Sequence, residues 1–94
     1  MGCKYEEGQF VQQRRRDHQM NAWRCAGVVL RVFGNEDPLV CWLEFDRNAY
    51  QLVWPKRPLA TGVARDQLLP LEPEKSVVPI ADSVHAEVMK LVLS

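Results

Sequence analysis

The chain has 94 residues, 47% of them hydrophobic, with twelve Lys or Arg balanced by twelve Asp or Glu, which suffices for one domain around a single modest core and is too short for two. That composition excludes disorder along the whole length, and a formal net charge of zero argues against a protein devoted to coating nucleic acid. Every apolar run falls short of the roughly 20 residues that a spanning helix needs, so membrane insertion is excluded and no membrane partner is expected.

Residues 1–7 are polar and form an expected flexible N-terminus. Gly8-Gln9-Phe10-Val11-Gln12-Gln13-Arg14 reads as a short first strand anchored by Phe10. Arg15 to Ala22 has neither strand alternation nor a helical stripe, and is read as a loop, or alternatively a helical turn, that Trp23 closes onto the core. Gly27 to Phe33 is rich in β-branched and aromatic residues, breaks at Gly34-Asn35-Glu36-Asp37-Pro38, and resumes from Leu39 to Phe45, which predicts a hairpin. Asp46-Arg47-Asn48 then supplies turn formers, with Asn48 suited to a left-handed backbone, before a strand from Ala49 to Trp54.

Strict alternation assigns faces in this meander. Val28, Leu30, Val32, Leu39, Cys41, Leu43 and Phe45 form one buried set, joined by Phe10 and by Leu68 or Leu69. Val29, Phe33, Val40 and Trp42 form a second apolar strip that needs a cover. The segment from Pro55 to Gly62 is a loop, because its prolines remove ladder donors. Val63 to Asp66 is a single helical turn, and Gln67 to Glu72 is a closing strand that Pro70 confines to an edge or an end. Residues 73–80 read as a linker. Residues 81–94 read as an amphipathic helix capped by Asp82 or Ser83, with Val84, Val88, Leu91 and Val92 on one stripe. That stripe is expected to meet the second apolar strip. The stiff linker favours reaching outward, so a homodimer or higher homo-oligomer paired through helices or strips is expected.

From Gly8 to Glu72, a first strand after a glycine, a polar excursion, a long hairpin, a tight turn, a fourth strand, a helical turn and a short fifth strand resemble an SH3-like barrel. The expected fold is mostly β: a five-stranded SH3-like barrel over residues 8–72 with a C-terminal α-helix. Within that class, Gly8-Gln9-Phe10-Val11, Asn21-Ala22-Trp23-Arg24 before Gly27-Val28-Val29, and Tyr50-Gln51-Leu52-Val53 with Pro55 resemble the plasmid-borne type II dihydrofolate reductases. Those enzymes are tetramers with the active site in a shared pore. The resemblance implies Gln51 and Leu52 as the pair facing folate and nicotinamide rings, but Val53 stands where that family has a tyrosine, and the stretch from Lys56 to Ala64 and the terminal helix have no counterpart in it.

Arg14, Arg15, Arg16 and Arg24 read first as a solvated strand end offset by Glu6, Glu7 and Asp17, and with His18 and a stacking Trp23 they also fit phosphate contacts. Cys3, Cys25, Cys41, His18 and His85 lack the close spacing of a structural zinc site, and Cys41 is expected in the core, so no metal is assigned. Cys25 with His18 has no third group to make a nucleophile of it, so no catalytic residue is assigned. An odd number of cysteines and the absence of a signal-like start point to a reducing cytoplasm. Tyr50, Gln51, Trp54 and Trp23, near the Pro55–Pro58 loop, are the candidate ligand groove. The expected function is a non-enzymatic binding or assembly module without cofactor, whose partner is an unidentified protein or small molecule. Nucleic-acid binding through Arg14 to Arg24 is the alternative, and a reductase-like enzyme the second.

Overall fold

The computed structural model describes residues 5–13, 26–76 and 78–93. Among them, β1 is Phe10–Gln13, β2 Ala26–Arg31, β3 Leu39–Trp42, β4 Glu44–Asp46, β5 Gln51–Val53, β6 Thr61–Gly62 and β7 Leu68–Pro70, and α1 is Asp82–Leu93. Single 3-10 turns occupy Arg65–Gln67 and Pro73–Lys75. The larger antiparallel sheet has the order β6-β3-β2-β1-β7, and β4 pairs with β5 in a second, two-stranded sheet. The chain is thus mostly β with a C-terminal helix, as its patterning predicts. β6 is an addition, lying within the Pro55–Gly62 stretch expected to be a loop.

The expected single strand from Leu39 to Phe45 is interrupted at Leu43. The Leu43 amide still donates to Ala26 O at 2.9 Å, and the chain then turns away to pair Glu44 with Val53, Phe45 with Leu52 and Asp46 with Gln51. At the end of this hairpin the Asp46 carboxylate accepts from the amides of Asn48 at 3.0 Å and Ala49 at 3.4 Å. The left-handed residue is Tyr50, with φ 51°, rather than Asn48. Position, not propensity, decides this: Tyr50 is the last loop residue before the Asp46–Gln51 closing pair, where the chain must reverse into β5.

The larger sheet is apolar on both faces. On one, Phe10, Ala26, Val28, Leu43 and Leu52 form the main core with Val78, Ala81 and Val84. On the other, Val11, Val29 and Val40 are closed over by Tyr5 and Leu68, with Val32, Trp42 and Val63 packed alongside. The single buried set predicted from alternation is therefore split. Val29 pairs with Val40 but Arg31 pairs with Leu39, so Leu30 is a bulge, and one extra residue reverses the face of everything after it. Val32 accordingly joins Val29 rather than Val28. Leu68 also belongs to the second cluster.

The helix-docking expectation needs a matching correction. Val84 is fully buried in the main core, with Val88 and Leu91 packed against it, so α1 sits on the Phe10–Val28 face of its own chain and not on Val29, Phe33, Val40 and Trp42. Val29 and Val40 are covered within the chain, while Phe33 is 48% exposed. Val92, also expected on the docking stripe, is 55% exposed and flanks the Gly8 turn. The physical reason for this seating lies in residues 73–80, which do not behave as a spacer. Leu52 N–H donates to Pro79 O at 2.8 Å, and Ala81 N–H donates to Leu52 O at 2.9 Å, so the segment lies along β5 and delivers α1 to the adjoining core. The cover that the second face needs comes from Tyr5, whose hydroxyl donates to Leu68 O at 3.0 Å.

Candidate binding cleft

The break at Leu43 and the Pro55–Pro58 stretch together make a cleft. Past Trp42 the chain leaves the larger sheet; past Trp54, Pro55 and Pro58 supply no amide hydrogens and cannot extend β5 along a neighbour. The segment instead crosses to the edge of β3, where Val40 faces Thr61 and Leu39 faces Gly62. Between the bend and the crossing segment lies a cavity of ≈ 280 Å³ lined by Trp42, Leu43, Glu44, Pro55, Arg57, Leu59 and Thr61. Leu43 and Pro55 are buried, Trp42 is half-buried, and Leu59 is 74% exposed.

The walls are apolar, with one carboxylate and one guanidinium among them. Ion pairs among the described residues join Glu72 to Lys75 and Glu87 to Lys90, so Glu44 and Arg57 are not paired with each other. In the adjacent strand, Cys41 is fully buried. Burial pushes its thiol pKa up, and a backbone hydrogen bond at Leu59 opposes that only in part. Fully buried and held neutral, the Cys41 thiol serves as a packing group.

A second hollow of ≈ 390 Å³ lies at the start of α1, lined by Pro73, Glu74, Ser76, Pro79, Ile80 and His85. Two of its polar groups serve the fold: the Ser76 hydroxyl donates to Val78 O at 2.7 Å, and the His85 ring leans on Phe10 with centroids 5.4 Å apart. It offers no aromatic wall comparable to Trp42.

The structure separates the groove residues read from sequence. Tyr50 is 55% exposed at the hairpin end, with its ring edge-on to Phe45 at 5.5 Å and 84°. Gln51 is half-buried opposite Asp46, and Trp54 packs against the main core. Leu52, the other member of the pair implied by the reductase resemblance, is fully buried in that core. None of these lines either hollow. Trp23, Arg14, Arg15, Arg16 and Arg24 lie outside the described residues, as do His18, Cys3 and Cys25. The cleft does involve the Pro55–Pro58 loop, but its aromatic wall is Trp42, which alternation assigns to the second apolar strip. Among the described residues no group of three or more His, Cys, Asp or Glu comes together to hold a metal, and no helix is long and apolar enough to cross a membrane.

The chain matches no known family model, no characterised protein and no solved structure.

Proposed function

We propose that this chain is a small non-enzymatic binding module, built on an SH3-like barrel, that holds an apolar ligand group between Trp42 and the 55–61 segment. The barrel reading is supported by chain order: β7 returns to pair with β1 after a 3-10 turn, and the β4–β5 hairpin folds over the same core as β1 and β2. The observation that carries the functional reading is the cleft itself. A half-buried Trp42, a buried Pro55 and a largely exposed Leu59 surround an open hollow, and a leucine left 74% exposed beside an aromatic wall is surface held ready for an apolar group.

The test is a titration of the isotope-labelled protein with N-acetyl-leucine amide, read by NMR. Shifts concentrated on Trp42, Leu59 and Thr61, with a dissociation constant of about 1 mM or tighter, are expected. Leu59→Ser should abolish them without moving the melting temperature, because this side chain contributes little to the core. Shifts scattered over the surface, or confined to the hollow at the start of α1, would refute the assignment.

A further inference from the structure

Resting on the cleft reading above, we infer that the ligand is a free α-amino acid with a large aliphatic side chain, which lies in the hollow while its ammonium group meets Glu44 and its carboxylate meets Arg57. Three observations carry this. The first is size. At ≈ 280 Å³ the hollow falls just below the roughly 300 to 1,000 Å³ of pockets that take drug-sized ligands, so it suits a molecule the size of one amino acid rather than a longer chain. The second is the walls. Trp42, Leu43, Pro55 and Leu59 present apolar surface to the hollow, and an apolar side chain is the group that gains by covering it.

The third observation is the charge at the rim. Elsewhere, opposite charges that are neighbours close on each other: Lys75 Nζ lies 3.0 Å from Glu72 Oε2, and Lys90 Nζ lies 3.4 Å from Glu87 Oε1. Glu44 and Arg57 line the same hollow, yet among the described residues neither side chain makes an ion pair. The backbone on both sides is constrained, since Glu44 is paired with Val53 in the β4–β5 ladder and Arg57 stands between Pro55 and Pro58. A carboxylate and a guanidinium left apart around one apolar hollow are matched together by a molecule that carries ammonium, carboxylate and apolar side chain on a single carbon. The interior of a peptide offers neither charge, and a chain terminus offers only one. The guanidinium fork suits a carboxylate, and the Glu44 carboxylate suits an ammonium donor.

The experiment titrates the isotope-labelled protein, at low salt, with leucine, leucine amide, N-acetyl-leucine and N-acetyl-leucine amide, which carry both charges, the cation alone, the anion alone and neither. With Trp42 and Leu59 shifts as readout, each charge should tighten binding about threefold, as befits exposed partners, so leucine should bind about tenfold more tightly than the neutral compound. Glu44→Gln should bring leucine to the affinity of N-acetyl-leucine, and Arg57→Gln should bring it to that of leucine amide. About 0.5 M salt should shrink the preference in the parent protein. Glycine, which keeps both charges and lacks the side chain, should bind at least tenfold more weakly than leucine. Equal affinity for all four leucine compounds, a gain from one charge only, a preference that survives both substitutions, or glycine binding as tightly as leucine would each overturn the inference. If N-acetyl-leucine amide still shifts Trp42 and Leu59 in those cases, the cleft reading stands and the amino-acid assignment alone falls; if none of the four shifts them, both fall.

Discussion

Gly27 is the position where a single methyl group tests most of the architecture. It sits in the middle of β2 between Val11 on one neighbour and Trp42 on the other, buried, with a backbone that any residue adopts. A Cβ built there would lie 2.8 Å from Trp42 Cε3, 2.8 Å from Val40 Cγ1 and 2.9 Å from Cys41 O. Alanine would ordinarily stabilise a strand interior by roughly 0.5 to 1 kcal/mol through reduced unfolded-state freedom. Here the opposing term is larger. The Cys41 carbonyl is held in the β2–β3 ladder and Val40 is packed under Tyr5 and Leu68, so neither can retreat, and overpacking of this kind costs about 1 to 3 kcal/mol or more. The net expectation for Gly27→Ala is a loss of about 2 kcal/mol, or roughly 10 °C in melting temperature for a domain of this size. The Trp42 indole is the neighbour with room to move, toward the cleft, so the variant should also weaken N-acetyl-leucine amide binding. Thermal unfolding by circular dichroism reads the first effect and the NMR titration the second. A variant that melts at or above the parent would show that the second apolar face is not packed as described.

Three further outcomes follow from the packing. Val84→Ala removes a fully buried side chain from the junction of α1 with the main core and should cost about 2 kcal/mol by denaturant unfolding; a change within a few tenths would mean that α1 does not dock on its own chain. Arg65 donates from Nη1 to Asn35 O at 2.8 Å and from Nη2 to Gly34 O at 2.9 Å, fastening the β2–β3 turn to the 3-10 turn before β7. Arg65→Met should lose about 1 kcal/mol and speed amide exchange across residues 33–37, and Arg65→Lys should restore less than half, since one ammonium cannot span both carbonyls as the planar fork does. The raised thiol pKa of Cys41 makes the folded state hold its proton where the unfolded chain releases it. Stability is therefore unaffected by this group at neutral pH and falls as pH rises above about 8.5, levelling only beyond the folded value. Cys41→Ala should flatten that alkaline decline in urea midpoints; an identical slope in both proteins would assign it to other groups.

Much of the fold was legible because the turn chemistry is explicit. Gly34 to Pro38 and Asp46 to Asn48 do end strands, Pro70 does sit in an edge strand, and the terminal helix begins at Asp82. Register was legible only in part. Alternation reveals a face when polar and apolar residues take turns, and Val28 to Val32 is apolar on both sides apart from Arg31, so nothing in it marks Leu30 as the bulge. The 73–80 stretch misled for a different reason. Pro73 and Pro79 say that regular structure stops, which is true, but they do not say that the segment is exposed; Val78 is fully buried. The cleft was illegible in detail because its walls come from residues 42–44 and 55–61, and only the crossing of the loop to the β3 edge brings Trp42 and Leu59 to one place.

These features are connected by the sheet's two apolar faces. A five-stranded sheet buried on one side alone would need polar residues alternating along β2 and β3, and Val28-Val29 opposite Val40-Cys41 provides none. Each face must then have its own cover. α1 and the β4–β5 hairpin close the Phe10 face, while Tyr5, Leu68 and Val63 close the Val29 face. To serve the first face, the chain must leave β3 at Leu43 and fold across the core. To serve the second, it must come back to β3 at Thr61 on the way to Val63 and Leu68. The cleft is the space between the departure and the return, and a segment with two prolines cannot close it by forming a further strand. Covering both faces with one short chain thus leaves a hollow, and the side chains at its rim, Glu44, Arg57 and Leu59, are exposed rather than packed into either core.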